Sequence, residues 1–577
     1  MRALHAVLPV AILLGSIAAC GSDGVGGGPE ADGGSPDVPA DGPPAWANAQ
    51  GERRAALPKQ APAKTTFFTT SDACAQCHTA GDGKVMRDAK GRDISPVTTF
   101  RPSMMSMAAR DPFYLAVVDE ERSARPGAEA LIDGACTKCH APAAVIERGL
   151  GGKGITIPEL FTGQDPEMHA GREGATCTVC HQTTKPQGLV DATFGGAFSV
   201  GENREIYGPH QGPTTDPMKL FVSYVPTYSD HVTRSELCAS CHTVFTRAHD
   251  VTGKATGPRL PEQVTYLEWR NSVYASTGAS GASCQSCHMP VGDDDGVPIS
   301  AVLSKIPPTG LGERKPIGRH SLLGGNVTML RAFSDDGGWS GASAESAAFK
   351  EQADRTVKNL ETAAKLTVGA PRRTARGLEV DVTVENRTGH KLPTGYPSRR
   401  AWLYVKVQGP AGYVFESGRS DAFGRIVDRA GHVLGKGTYF PHRDTITRDD
   451  EVLVYEAVLG NDKGEVVTRP LDATRYLKDN RLLPLGWSKD HPDGPITTSF
   501  GPERDPDFSS SDTVHLVLAN VPEGAVEISA ELRFQSLRPS ELDGLALYPT
   551  PTARTLFDMV KTKLEPVVIA KATKSGP

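Results

Sequence analysis

The sequence predicts an α+β chain of several domains, in which a loop- and helix-rich N-terminal half is followed by an antiparallel β-sandwich. Ten of its 11 cysteines fall into five C-x-x-C-H copies between Cys74 and His288. Beyond a helical stretch at 340–368, apolar residues alternate with a period of two. The 577 residues, 38% hydrophobic with 61 glycines, have an ordinary globular composition and the length of two to four domains. With 62 basic against 68 acidic residues and a net charge of −6, the chain is no basic nucleic-acid binder, and no nucleic-acid partner is expected.

At the N-terminus, Arg2 precedes an apolar run from Ala3 to Ala19, too short for a permanent span and typical of a secretory signal over 1–20. The run ends in Ile17-Ala18-Ala19-Cys20-Gly21, which resembles the lipobox of bacterial lipoproteins. That resemblance implies lipidation of Cys20, export, and a membrane anchor. Gly21 in place of Asp points by analogy to the outer membrane, facing the periplasm or the cell surface. Residues 21–65 are rich in Gly, Pro, Asp and Ala and are expected to form a disordered tether.

Residues 66–335 carry Cys74-Ala75-Gln76-Cys77-His78, Cys136-Thr137-Lys138-Cys139-His140, Cys177-Thr178-Val179-Cys180-His181, Cys238-Ala239-Ser240-Cys241-His242 and Cys284-Gln285-Ser286-Cys287-His288. Composition alone gives about 0.006 such matches. Two sulfurs one helical turn apart suit thioether bonds to the haem vinyl groups, and the following histidine suits the proximal iron position. Zinc ribbons and disulfides also use C-x-x-C pairs, but neither requires His after every second Cys. Five covalent haem c groups (iron) are therefore expected. At about 43 residues per haem across 74–288, the macrocycles must supply much of the core and lie close enough for electrons to pass between them.

The likeness extends beyond these motifs. Pro261-Glu262-Gln263, Glu268-Trp269-Arg270-Asn271-Ser272, Cys287-His288-Met289-Pro290 and Thr388-Gly389-His390-Lys391-Leu392-Pro393-Thr394-Gly395-Tyr396-Pro397 resemble stretches of the multihaem c-type cytochromes of bacterial respiration. The resemblance covers most of 66–560 and implies electron transfer with other redox proteins, such as cytochromes or quinol-linked donors. The alternative is a multihaem oxidoreductase whose one open haem acts on a small nitrogen or sulfur compound. The chain lacks the C-x-x-C-K motif typical of the related nitrite reductases.

Function turns on the sixth ligand of each iron: a strong ligand leaves an electron carrier, and an open position admits a small molecule. His169 and His231 lie eight and seven residues before the cysteines of the third and fourth motifs, a repeated offset that makes both candidate distal ligands. His390 sits in a Gly- and Pro-flanked turn that projects its ring rigidly. His320, in Gly318-Arg319-His320-Ser321-Leu322-Leu323-Gly324-Gly325-Asn326, resembles a ligand segment of related proteins. Many of these carry a W-x-x-S-x-H segment whose His is a distal ligand. Two variants here place Met105 and Tyr274 at that position, Met105 as a candidate thioether ligand and Tyr274 as a packing residue. His210, His249, His432, His442, His491 and His515 are expected at the surface or in turns. Five distal candidates for five haems favour an electron relay over a catalyst.

The helical stretch 340–368 is expected to link the halves through an apolar face of Ala347, Phe349, Ala353, Val357 and Leu360. Over 370–545, alternating runs such as Leu378–Val384 and Val526–Phe534 give half-buried strands of a sandwich, and 546–577 a final helix and tail. No catalytic signature stands out in this half. Arg399 and Arg400 are expected to pair with haem propionates by charge-assisted hydrogen bonds.

Overall fold

The computed structural model describes residues 41–306 and 311–577. The signal sequence, Cys20 and the start of the expected tether lie outside them. The described chain is α+β, with short helices dominating as far as Leu360 and strands from Ala364 onward.

From Asp41 the expected tether is docked. Trp46 is 0% exposed, and its ring lies 5.9 Å from that of Phe423 and 6.1 Å from that of Phe557. The Leu57 amide donates to the Trp339 carbonyl at 2.7 Å, and Arg425 donates to the Asp41 carbonyl at 2.8 Å. Two buried apolar side chains, Trp46 and Leu57, each contribute about 1.5–3 kcal/mol. They offset the ordering entropy of an otherwise polar segment.

Helices Pro112–Ala124, Val327–Ser340 and Ser346–Leu360 share one core with the C-terminal helices Pro539–Ala546 and Pro551–Val560. Leu115, Val118, Phe333, Phe349, Leu556 and Phe557 meet there, all buried. Smaller clusters lie near the motifs: Phe68, Ala143, Ala170 and Val179 in one, and Ala239, Val264, Tyr266 and Leu267 in another.

The expected linking helix is shorter than its pattern implied. It ends at Leu360, and Ala364–Val368 is a strand in which Ala364, Leu366 and Val368 turn inward while Lys365 and Thr367 face out. This strand pairs with Gly377–Asn386, which pairs with Ser511–Leu518 and then Thr445–Ile446 to form one sheet. Arg372–Thr374 joins it alongside Gly377–Asn386.

The second sheet runs Val466–Val467, Val454–Gly460, Arg400–Gln408, Val526–Gln535, Val567–Gly576. Arg475–Asp479 and Val414–Ser417 are paired at its flanks. Val380, Val382 and Leu516 of one sheet and Val405, Leu532 and Ile569 of the other belong to one buried cluster. Two features differ from the sequence expectation. Thr445–Ile446 runs parallel to His515–Leu516. The expected C-terminal tail is an edge strand, registered with Val526–Gln535 and anchored by buried Val567 and Ile569.

Candidate functional site

Each C-x-x-C-H motif sits on a helical turn: Ser71–Ala75, Glu129–His140, Cys177–Gln182, Glu236–Ala239 and Cys284–His288 contain or open into them. The amides of His78 and His242 donate to the carbonyls of Cys74 and Cys238 at 2.8 and 3.0 Å. Such a turn places two sulfurs three residues apart on one side, with the histidine next to them. All ten cysteines are free thiols, so no disulfide uses them. Among the described residues, no group of three or more potential metal ligands contains a cysteine, as a zinc ribbon would require.

The motifs adjoin one another through their sulfurs. Cys74 contacts Cys177, Cys139 contacts Cys241, and Cys238 contacts Cys284. Among their imidazoles His78 lies near His181, and His242 near His288 and His140, while His320 lies near His181 and His78.

Backbone carbonyls orient the rings. Nδ1–H of His78, His140 and His181 donates to the carbonyls of Leu303, Ala108 and Tyr207 at 2.7, 2.7 and 2.6 Å. That of His288 donates to Leu323. The tautomer this fixes leaves Nε2 with a free lone pair, the arrangement that supports a metal-bound imidazole. Burial keeps the rings neutral at neutral pH. His140 and His242 are pushed down to about 4, and His78, His181 and His288 are also lowered.

Two distal candidates meet a motif histidine. The rings of His181 and His320 have centres 6.1 Å apart and planes 23° from parallel; those of His288 and His390 are at 6.3 Å and 26°. Two imidazoles on one metal ion at bonds of about 2.0–2.1 Å hold their ring centres about 6 Å apart. Both partners have Nδ1 on a backbone carbonyl, His320 on Gly318 at 3.1 Å and His390 on Lys391 at 2.9 Å. Burial lowers them to about 3 and about 4.

A buried polar scaffold that the sequence reading missed places His390. Asn386 donates to the His390 carbonyl at 2.8 Å. Glu268 accepts from the Lys391 amide at 3.0 Å. The Lys391 ammonium reaches Asp479 at 2.6 Å, and Arg481 pairs with the same carboxylate at 2.7 Å. Those two cations hold Asp479 down at about 2 against the opposing effect of burial. A side chain at Gly389 would meet Trp269 and Tyr274 at 3.0 and 3.1 Å, so only glycine fits there without displacing them.

The structure places the other candidates away from such ring pairs. His231 is 2% exposed, and both ring nitrogens are engaged, with Nε2 donating to the Thr183 carbonyl at 2.8 Å and Nδ1 accepting from Ser229 at 2.7 Å. It backs the His181 side of the array and offers no free lone pair. In His169, Nδ1 lies 3.2 Å from an Arg172 guanidinium nitrogen. Arginine only donates, so the proton sits on Nε2, the wrong tautomer for ligation through that atom. Met105 is half-buried and fixed by its carbonyl, which accepts from the Ala175 amide at 3.1 Å. Tyr274 is a packing residue whose hydroxyl donates to the Arg387 carbonyl at 2.8 Å.

Arg399 and Arg400 face opposite ways, as neighbours on a strand do. Arg399 lies beside His242, His288 and His390. It donates to the Thr394 carbonyl at 2.7 Å and has no carboxylate within ion-pair distance among the described residues. Arg400, expected like Arg399 to pair with propionates, points instead to Gln535 at 2.9 Å and the Gly424 carbonyl at 2.8 Å.

The residues fit haem on further grounds. Some buried polar atoms without a partner lie in or next to the motifs: Gln182 Oε1, Thr243 Oγ1 and Gln285 Oε1, with Tyr114 Oη beside His140. Around the second motif, the Tyr114 ring stacks on His140 at 3.6 Å. Glu262, beside the Cys136 and Cys139 sulfurs, is pushed up by burial to about 7.

No protein-family model and no curated protein matches this chain. Among solved structures the chain is similar to a penta-heme cytochrome c552 from Thermochromatium tepidum, with 17% sequence identity and a TM-score of 0.48 over 89% of this chain and 100% of that one.

Proposed function

We propose that the chain is a c-type cytochrome that holds five covalent haems and carries single electrons between redox proteins. What supports this reading most is the pair of imidazole gaps at His181/His320 and His288/His390, each the width of one iron, on a chain with five C-x-x-C-H turns. The haems would supply one-electron Fe(III)/Fe(II) exchange. The ten cysteines would tether them, and His78, His140, His181, His242 and His288 would be proximal ligands, with His320 and His390 distal to two. The carbonyls of Leu303, Ala108, Tyr207 and Leu323 hold the proximal rings in one tautomer, while the surrounding burial keeps water away and the rings neutral. Arg399 offers a desolvated positive charge to propionates. Export, lipidation at Cys20 and an outer-membrane location, as the N-terminal motif implies, would place these reactions outside the inner membrane.

One observation favours a second reading. Among the described residues, no imidazole ring pairs with His78, His140 or His242 as those of His320 and His390 do with theirs; Tyr114, a phenol without a hydrogen-bond partner, stacks on His140, and Glu262 lies beside Cys136 and Cys139. An open haem there would make the protein an oxidoreductase for a small nitrogen or sulfur compound. Intact mass of the purified chain tests the haem load directly, and five haem additions are expected. Quantitative EPR of the oxidised protein, with and without nitrite or hydroxylamine, separates the readings. High-spin iron that is insensitive to both compounds supports electron transfer alone, whereas one high-spin centre that shifts on addition supports catalysis.

A further inference from the structure

A cluster of carboxylates lies far along the sequence from the motifs, around the loop that precedes strand Ser511–Leu518. The ligand atoms of Asp444, Asp505 and Asp507 lie within 4.8 Å of one another, as do those of His442, Asp505 and Asp512. Asp505 therefore sits at the centre of four carboxylates. None of the four pairs with a lysine or arginine among the described residues, and the only opposed groups are the imidazoles of His442, at 2.9 Å from Asp505, and His515, at 3.8 Å from Asp444. Like charges gathered this closely repel unless a cation or a proton joins them.

An independent observation comes from the buried side. Asp512 is 0% exposed. One of its oxygens accepts from the Tyr455 hydroxyl at 2.8 Å, while the other, Oδ1, is buried with no partner. The Asp512 carboxyl neighbours those of Asp505 and Asp507, and one of its oxygens lies within 4.8 Å of the Asp505 ligand atom.

The tautomer of His442 decides the class of metal. The Asn480 carbonyl oxygen accepts from the Glu456 amide at 3.1 Å, so the Asn480 NH2 group is the one that donates, to His442 Nδ1 at 3.0 Å and to the Val454 carbonyl at 2.9 Å. His442 Nδ1 is then an acceptor, and its Nε2–H donates to Asp505. His442 orients the carboxylate and does not ligate. What remains is an all-oxygen donor set, which selects hard cations. Two oxygens on one calcium ion, at bonds of about 2.3–2.6 Å, lie at most about 5 Å apart, a limit met by Asp444, Asp505 and Asp507 among themselves and by Asp505 with Asp512. Calcium takes several carboxylate oxygens in flexible geometry, whereas magnesium dehydrates reluctantly and is usually held by one or two carboxylates and water.

We propose that Asp444, Asp505, Asp507 and Asp512 form a calcium site that fastens the loop carrying Asp505 and Asp507 to the edge of the first sheet. The test is isothermal titration of the haem-loaded full chain, stripped with EDTA, against calcium, magnesium and zinc chloride separately, with thermal unfolding of each sample. Calcium should bind once per chain, more tightly than magnesium or zinc, and raise the unfolding temperature. Asp507→Asn, on an exposed loop position, should keep the visible spectrum of the wild type and bind calcium at least about tenfold more weakly. Asp505→Asn should lose the site. The proposal is overturned if the wild type takes up no calcium, which would leave a shared proton to join the carboxyls, or if Asp507→Asn binds calcium as the wild type does. A zinc preference abolished by His442→Gln would make His442 a ligand and likewise overturn it.

Discussion

Replacing His320 with Ala and, separately, His231 with Ala distinguishes a ligand from a neighbour. Both rings are buried, and their places in sequence made both candidate ligands. His320 leaves its Nε2 free opposite His181 at a ring separation of 6.1 Å, whereas His231 has both nitrogens spent on Thr183 and Ser229. His320→Ala should therefore turn one low-spin haem per chain high-spin, and His320→Ala with His390→Ala should turn two, because the pairs share no residue and distant sites act independently. His231→Ala should turn none. Its cost falls on stability: the orphaned Thr183 carbonyl at about 1–3 kcal/mol, plus a cavity term, for a total of about 3 kcal/mol. The assays are quantitative EPR of the oxidised protein and denaturant unfolding of the same samples. High-spin iron in His231→Ala, or an unchanged spectrum in His320→Ala, would refute the assignment of axial pairs from ring separation and tautomer.

Arg399→Leu should lower the potential of a nearby haem, because its charge favours Fe(II). A unit charge at about 10 Å and an effective dielectric constant of about 20 is worth about 1.7 kcal/mol, or about 70 mV. Arg400→Leu should move no potential but lose about 2 kcal/mol of stability as Gln535 and the Gly424 carbonyl lose their donor; spectroelectrochemistry and unfolding check both. Glu262, with its carboxyl at about 7, gains negative charge as the pH rises from 6 to 8. Fe(III) is stabilised in step, so the potential of the haem on Cys136 and Cys139 should fall over that range, by at most about 59 mV per pH unit, and Glu262→Gln should flatten the dependence. Lys391→Met should cost about 3 kcal/mol by leaving the buried Asp479 with Arg481 alone, and should turn the His390 haem partly high-spin. Because Asp479 titrates at about 2 in the fold against 3.8 ordinarily, its stabilisation is present above about pH 4 and lost as the pH falls toward 2. Acid unfolding curves of wild type and Lys391→Met should converge there.

The motifs were legible because thioether attachment confines its chemistry to five consecutive residues. The ring pairs are different, since the imidazole facing His181 comes from a turn far down the chain and the one facing His288 from beyond the Gly377–Asn386 strand. His320 and His390 stood out through their local context, and in the fold their rings lie 6.1 and 6.3 Å from those of His181 and His288. His169 and His231 were singled out by their offset from a motif, but nearness in sequence does not set a tautomer. Arg172, Ser229 and Thr183 do, and they reach these rings only in the folded chain. Arg399 and Arg400 were inseparable until the strand start at Arg400 fixed which one turns inward. The scaffold of Glu268, Lys391, Asp479 and Arg481 gave no signal, because isolated charges in a sequence read as surface. Trp46 was hidden by the Gly, Pro and Asp around it, and the C-terminal strand by the lysines that alternate with its few apolar residues.

The most direct test of the central claim is an anomalous difference map collected at the iron edge from crystals of the haem-loaded protein. Five iron peaks are expected, each at a C-x-x-C-H turn, with one midway between His181 and His320 and another midway between His288 and His390, and none at His169 or His231. Fewer than five peaks, or an iron at His181 or His288 whose far side is held by any other residue, would contradict it.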